Sequence, residues 1–222
     1  MKDNLKVNDL IITIDNAGSI GKKINDTIDV DYKTVSYFTL RTAIIENIVQ
    51  HTKIIGITLA NFCGDENHQS IVEGINMVEN DLGYELPFIS SSESNFRMNE
   101  SAISFTCIGK QKQNKIEKHN NIAIIGKPLV GDEVLANKLD IVSLKEIISL
   151  VNSNNVSRVI SVGSKGIKAK IKQELGLSVS SDELDLFKSA GPSTCVIVVY
   201  ESLIELKNMI SSPLTIINTV KL

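Results

Sequence analysis

The apolar residues of this chain come in short runs, and those runs alternate with segments whose apolar residues recur at helical spacing. Residues 9–15 (DLIITID), 53–61 (KIIGITLAN), 102–109 (AISFTCIG), 122–125 (IAII), 158–162 (RVISV), 194–200 (TCVIVVY) and 214–220 (LTIINTV) are β-rich and short. Such runs are strands buried on at least one face. Residues 27–32 read as a further short strand. Helical spacing predicts helices over 35–49, 70–82, 143–151, 166–175 and 203–210, and a short one over 182–188. Gly83 closes the second of these, and Arg41 and Glu46 fall on the wetter side of the first. Strands and helices interleaved in this way bury their faces only by layering, so the fold class is α+β.

A polar, charged stretch, KQKQNKIEKHNN at 110–121, separates two halves of this pattern. The expected domains are 1–115 and 116–222. With 42% hydrophobic residues the chain has apolar surface enough for a core, which excludes disorder throughout. Its 26 acidic and 23 basic side chains, without a dense basic run and with 5% aromatics, argue against nucleic acid as the partner. No stretch approaches the roughly 18–20 continuous apolar residues that span a bilayer, and the N-terminal apolar run is too short for a signal peptide core. The expected location is the cytoplasm, with no membrane partner. Cys63, Cys107 and Cys195 are odd in number and widely spaced, which suits packed, reduced thiols. His51, His68 and His119 show no ligand spacing, so a metal here is expected to be a hard cation held by oxygen.

Four segments can carry chemistry. The first strand ends in Asp15-Asn16 and runs into the Gly18 loop, placing a carboxylate and an amide where Mg²⁺ and phosphate can bind. An Asx turn with Gly18 at positive φ uses the same residues. The stretch PFISSSESNFRMNES reads as a loop, in which Glu93 can bind a metal ion and neighbours such as Ser92 and Asn95 can meet phosphate. Gly163-Ser164-Lys165-Gly166 joins a strand to a helix, a geometry that attracts anions, although a tight turn explains it equally. Ser189–Thr194 is either a plain turn or part of a ligand mouth. Lys22 and Lys23 can meet phosphate or simply face water. No Ser-His-Asp or Cys-His motif stands out, so hydrolysis of that type is not expected.

In order, TIDNAGSIG, SSSESNF followed by SAISFTCIGK, VGSKGI and SAGPSTC resemble the PurM-like (aminoimidazole ribonucleotide synthetase-related) ATP-binding superfamily, which also holds thiamine-monophosphate kinase, selenophosphate synthetase and hydrogenase maturation factors. Within it the chain looks most like the short α-ribazole kinases of cobalamin lower-ligand salvage. The resemblance implies an N-terminal half that gives strands to a homodimer barrel, ATP in a cleft, and Mg²⁺ bridging its phosphates. It implies catalytic and metal-binding roles for Asp15 and Glu93, and ATP contacts from Asn16, Gly18, Ser92, Asn95, Ser164 and Lys165. The implied activity is phosphorylation of a nucleoside 5′-hydroxyl; a non-catalytic nucleotide-binding sensor or partner subunit is the alternative. The chain departs from the superfamily where Asp15-Asn16 replaces Asp-Gly and where Ser91-Ser92 replaces Gly-Gly.

Overall fold

The computed structural model describes residues 4–112 and 121–220; residues 113–120, within the expected linker, lie outside the described ones. The chain forms two compact units, 1–113 and 114–222. In chain order the first unit contains β1 (Leu5–Val7), β2 (Leu10–Gly18), β3 (Ile20–Gly21), β4 (Ile28–Asp29), α1 (Tyr32–Ile48), β5 (Thr52–Asn61), α2 (His68–Leu82), β6 (Phe88–Ser92) and β7 (Ala102–Gln111). Its main sheet has the order β1-β2-β7-β5-β6. β7 runs antiparallel to both β2 and β5, and β6 runs parallel to β5. β2, β5 and β6 therefore point the same way, and their C-terminal ends share one edge.

Several elements differ from expectation. Asn16 and Gly18 extend β2 in a nine-residue ladder with β7 instead of forming a loop; Gly18 has no positive φ, because a strand residue does not need one. The expected strand at 27–32 shrinks to β4, since the Asp31 carboxylate accepts the Thr34 N–H at 2.8 Å and starts α1 at Tyr32. The segment expected as a loop after Pro87 begins as β6, pairing with β5 from Ile57↔Phe88 to Asn61↔Ser92.

α1 shows no wet side at Arg41. That residue is only 1% exposed, because the sheet covers one flank of the helix and α2 another. Tight spots fix this packing. Gly74 of α2 lets the Lys33 carbonyl and the Ser36 side chain approach, and the Ser36 hydroxyl donates to the Ile71 carbonyl at 2.7 Å. Asn47 of α1 donates to the carbonyls of Ile11 (2.9 Å) and Cys107 (3.2 Å) and accepts the Thr52 hydroxyl at 2.6 Å, which locks helix to sheet through a buried polar plug.

The second unit contains β8 (Asn121–Ile125), α3 (Asp132–Ala136), α4 (Leu144–Asn152), β9 (Val156–Ser161), α5 (Gly166–Leu175), β10 (Ser178–Ser180), β11 (Val196–Tyr200), α6 (Leu203–Asn208) and β12 (Leu214–Val220). Its sheet, β10-β12-β8-β11-β9, is antiparallel throughout. All five residues of β11 are buried, as suits a strand covered on both faces. Ile167 and Ile171 of α5 pack on Ile122, Ile124, Ile160 and Ile197. Residues 182–188 form turns, not the expected helix: Ser181 and Asp185 side chains accept the N–H groups of Glu183, Leu184 and Phe187, and so compete with helical bonding.

Glu146 clasps this unit together. Its carboxylate accepts the Ser143 N–H while its own N–H donates to Ser143 Oγ, a capping box, and the carboxylate also accepts from the Ser143 hydroxyl and from Ser211 and Ser212 ahead of β12. Burial alone would raise its carboxyl, but the bonds from Ser212, Ser143 and Ser211 outweigh burial and bring it down to about 2. All three cysteines are free and buried. Among the described residues no helix is long and apolar enough to cross a membrane.

Candidate functional site

Register places the ends of the three parallel strands together. Ala17 of β2, Ile103 of β7, Asn61 of β5 and Ser92 of β6 form one rung. Just beyond it lies an open cleft of about 770 Å³, lined by the three segments that leave these strands: Lys22–Ile24, Phe62–Glu66 and Glu93–Asn99. The volume is that of a small-molecule site.

Each segment is pinned. The Asn61 side chain donates to the Gly64 carbonyl and the Ser92 hydroxyl, and accepts the Cys63 N–H at 2.8 Å, so it caps a turn. The Glu93 N–H donates to the Asn61 carbonyl at 2.9 Å, and Glu93 Oε1 accepts the N–H groups of Asn95 (2.7 Å) and Phe96 (3.1 Å). The Lys23 ammonium donates to the Phe62 carbonyl at 2.8 Å. Asp26 Oδ2 accepts the Lys23 N–H and the Ser101 hydroxyl. Although burial opposes it, the bonds from Ser101 and Lys23 keep the Asp26 carboxyl below its ordinary range. Lys22 pairs with Asp29 at 2.7 Å, which holds its ammonium above the usual value.

The structure divides the residues singled out in the sequence. Glu93 and Asn95 line the cleft, and Ser92 supports it through Asn61. Asp15 does not line it. Asp15 pairs with Phe105, which pairs with Leu59, which pairs with Ser90, so two strands stand between Asp15 and β6, a span of about 14 Å at the usual strand spacing. Thr13, on the same face of β2, donates to the Ala43 carbonyl of α1, and the Asp15 carboxyl is likewise half-buried toward Thr42 of that helix. That burial pushes it up to about 7, with the Asn16 N–H and Thr42 hydroxyl opposing. Asn16 and Gly18 belong to the opposite, uncovered face. Asp15 and Glu93 are therefore not brought together, and among the described residues no three His, Cys, Asp or Glu side chains are grouped to hold a metal ion.

Ser164 and Lys165 lie in the second unit, ahead of α5. There the Gly166 N–H donates to the Gly163 carbonyl and the Lys168 N–H to the Leu186 carbonyl, which occupies donors that an anion would need. Sequence reasoning missed Ile24, Phe96, Arg97 and Met98; for Ile24, Phe96 and Met98 the signal was an apolar residue in a polar stretch, and for Arg97 there was none. It also missed a contact between His68 Nε2 and Ser90 Oγ at 3.2 Å, which ties α2 to β6 at the surface.

No family model and no curated protein matches the chain. Solved structures do match it. HypE from E. coli, a hydrogenase maturation protein, aligns with a TM-score of 0.62 at 11% identity, over 95% of this chain and 78% of its own. HypE in a HypE–HypF complex gives 0.60 at 12%, over 94% and 81%. The fold is PurM-like. PurL from Thermotoga maritima, complexed with ATP, shares this fold with a TM-score of 0.55 at 11% identity, over 97% of this chain and 36% of its own. The chain thus spans about four fifths of HypE and about a third of PurL.

Proposed function

We propose that the chain is an ATP-dependent small-molecule kinase acting on the 5′-hydroxyl of a nucleoside, with α-ribazole as the acceptor named by the sequence resemblance. The observation that carries the proposal is the cleft beyond β2, β5 and β6, where Asp65, Glu66 and Glu93 share one volume with Lys22, Lys23 and Arg97. A PurM-like relative complexed with ATP supports the choice of nucleotide.

Glu93 would hold Mg²⁺ through its carboxylate oxygens. These oxygen donors suit a hard cation that arrives with phosphates and needs only one or two carboxylates from the protein. Bound there, the ion supplies neutralisation of phosphate charge. The remaining chemistry is positioning: the acceptor hydroxyl oxygen attacks the γ-phosphorus in line, the bond from that phosphorus to the bridging oxygen breaks, ADP leaves with the electron pair, and the hydroxyl proton passes to solvent. Asn95 and Arg97 contact phosphate oxygens, while Asn61 and Ser92 hold the Glu93 turn in place. Asp15 engages a separate part of the nucleotide. Asn16 and Gly18, on the uncovered face of β2, are proposed as further phosphate contacts.

A second copy of the chain is the proposed cover for the uncovered sheet face. Ile14, Thr106, Thr58 and Ile89 form one rung of that face, and its two ends are 61% and 74% exposed. Leu5 and Val7 extend the same apolar surface.

The test is Mg²⁺-dependent ADP formation on adding α-ribazole to protein and ATP. A second reading, nucleotide binding without turnover, draws on the placement of Ser91 and Ser92 in a regular strand where the superfamily has a glycine loop. It predicts saturable ATP binding with no ADP formed.

A further inference from the structure

The cleft of the first unit has an apolar rim that phosphate and metal chemistry leaves unused. Ile24 is 97% exposed and Phe96 78% exposed, and both line the same cleft, together with Phe62 and the partly exposed Met98. Single exposed apolar side chains are ordinary on a surface, but several bordering one concave volume are not scatter. Nor are they on slack loops. Ile24 sits at the tip of a turn closed by Asp26 N–H to the Lys23 carbonyl (3.0 Å) and by Lys23 N–H to the Asp26 carboxylate (2.8 Å). The same turn is tied to the neighbouring segment by the Lys23 ammonium on the Phe62 carbonyl. Phe96 is held by its own N–H on Glu93 Oε1. Two apolar side chains on pinned turns lose little conformational freedom when a flat group settles against them. Arg97, which makes no hydrogen bond or ion pair among the described residues, adds a planar cation to the lining.

We infer that this rim is a stacking site for a planar heteroaromatic ring carried on a ribosyl group, with Phe96 as the stacking platform and Ile24 and Met98 as the opposing apolar contacts. The polar side chains of Glu93 and Asn95 in the same lining then lie on the ribosyl side of the ring. The inference deepens the kinase reading and rests on it only for the ring's origin, acceptor nucleoside or ATP.

The chain contains no tryptophan, so Phe96→Trp puts a single fluorescent reporter on the platform. Titration with adenosine, benzimidazole riboside and ATP is expected to quench it saturably; ribose 5-phosphate and tripolyphosphate, which lack a ring, are expected not to. Quenching by nucleosides alone assigns the rim to the acceptor, and quenching by ATP but not nucleosides assigns it to the nucleotide. Calorimetry on Phe96→Ala should show ring-bearing ligands bound about tenfold more weakly, the effect of losing one base–aromatic stack, with tripolyphosphate unchanged. Absence of saturable quenching by every ring-bearing ligand, or equal binding of those ligands by wild type and Phe96→Ala, overturns the inference. Ring binding without ADP formation would instead leave the rim in place and remove the kinase reading.

Discussion

Asp15 and Asn16 are consecutive in the chain and stand on opposite faces of β2, Asp15 toward α1 and Asn16 on the uncovered side. A strand side chain repeats every second residue, so two neighbours in a ladder cannot grip one ligand from the same face. The Asp-Asn pair is thus two separate features, one half-buried acid and one exposed amide.

Asp15→Asn is expected to separate stability from activity. In the folded protein the carboxyl sits at about 7 against an ordinary 3.8, so the folded state disfavours the charge. The wild type has its full stability from this group below about pH 4 and loses it as pH rises toward 7. The displacement is worth at most about 4 kcal/mol, and partial solvent access reduces it to about 1–2 kcal/mol. Thermal melts should therefore show the variant gaining a few degrees on wild type at pH 8 and nothing at pH 4. Under the kinase proposal the same variant loses phosphoryl transfer, as expected where a strained charge serves function. Equal melting temperatures at pH 8 would remove the burial argument.

Glu93 has two jobs that conservative substitution can separate. Gln at this position keeps an oxygen for the Asn95 and Phe96 N–H groups but removes the charge; Ala removes both. Glu93→Gln should melt like wild type while turnover falls about 100-fold or more, the scale of losing one electrostatic stabiliser. Glu93→Ala should in addition lose about 1 kcal/mol through the uncapped turn. Steady-state kinetics beside denaturant titration reads both quantities.

Glu146 should dominate the acid stability of the second unit. Its folded value of about 2 against an ordinary 4.5 means that its contribution is complete above about pH 4.5 and is lost as pH falls through 2. Glu146→Ala strands the N–H groups of Ser211 and Ser212 and is expected to cost about 3 kcal/mol at pH 7. In urea titrations the gap between wild type and Glu146→Gln should narrow between pH 5 and pH 2.

If a second copy covers the open face, a charge at its most exposed apolar positions will be felt. Ile14→Lys with Ile89→Lys puts two ammonium groups at the ends of one rung without touching the helix-covered core. Light scattering should give twice the chain mass for wild type and the chain mass for the double variant, with circular dichroism unchanged. A wild-type particle of single-chain mass at micromolar concentration would contradict the dimer.

Much of the fold was legible because its strands are short apolar runs. The ladders of β2, β5, β7, β8, β11 and β12 lie where β-rich segments end in turn residues, and α2 stops at Gly83 in the left-handed conformation. Arg41 and FISSS differ from expectation through tertiary context, and residues 182–188 through local hydrogen bonding. Arg41 has a polar side chain at a helical surface spacing, but α1 is covered on more than one flank, so periodicity could not place it. FISSS reads as a loop because serine favours turns, yet its backbone completes a sheet edge beside β5. Residues 182–188 have helical spacing and lose to Ser181 and Asp185 as local hydrogen-bond acceptors. At the site, Glu93 was visible as an acid in a polar loop. The cleft around it was not, because Ile24, Phe62 and Phe96 come from three distant segments that only the sheet topology gathers.

Under the kinase proposal, phosphoryl transfer to a nucleoside takes place at the mouth of the first unit's sheet. Mass spectrometry after incubating the protein with ATP, Mg²⁺ and α-ribazole, with thiamine phosphate as a parallel acceptor, tests it directly. An α-ribazole phosphate peak that needs Mg²⁺ and disappears in Glu93→Gln is the expected result. ATP bound with no phosphorylated product from either acceptor, or a product peak undiminished in Glu93→Gln, would contradict it.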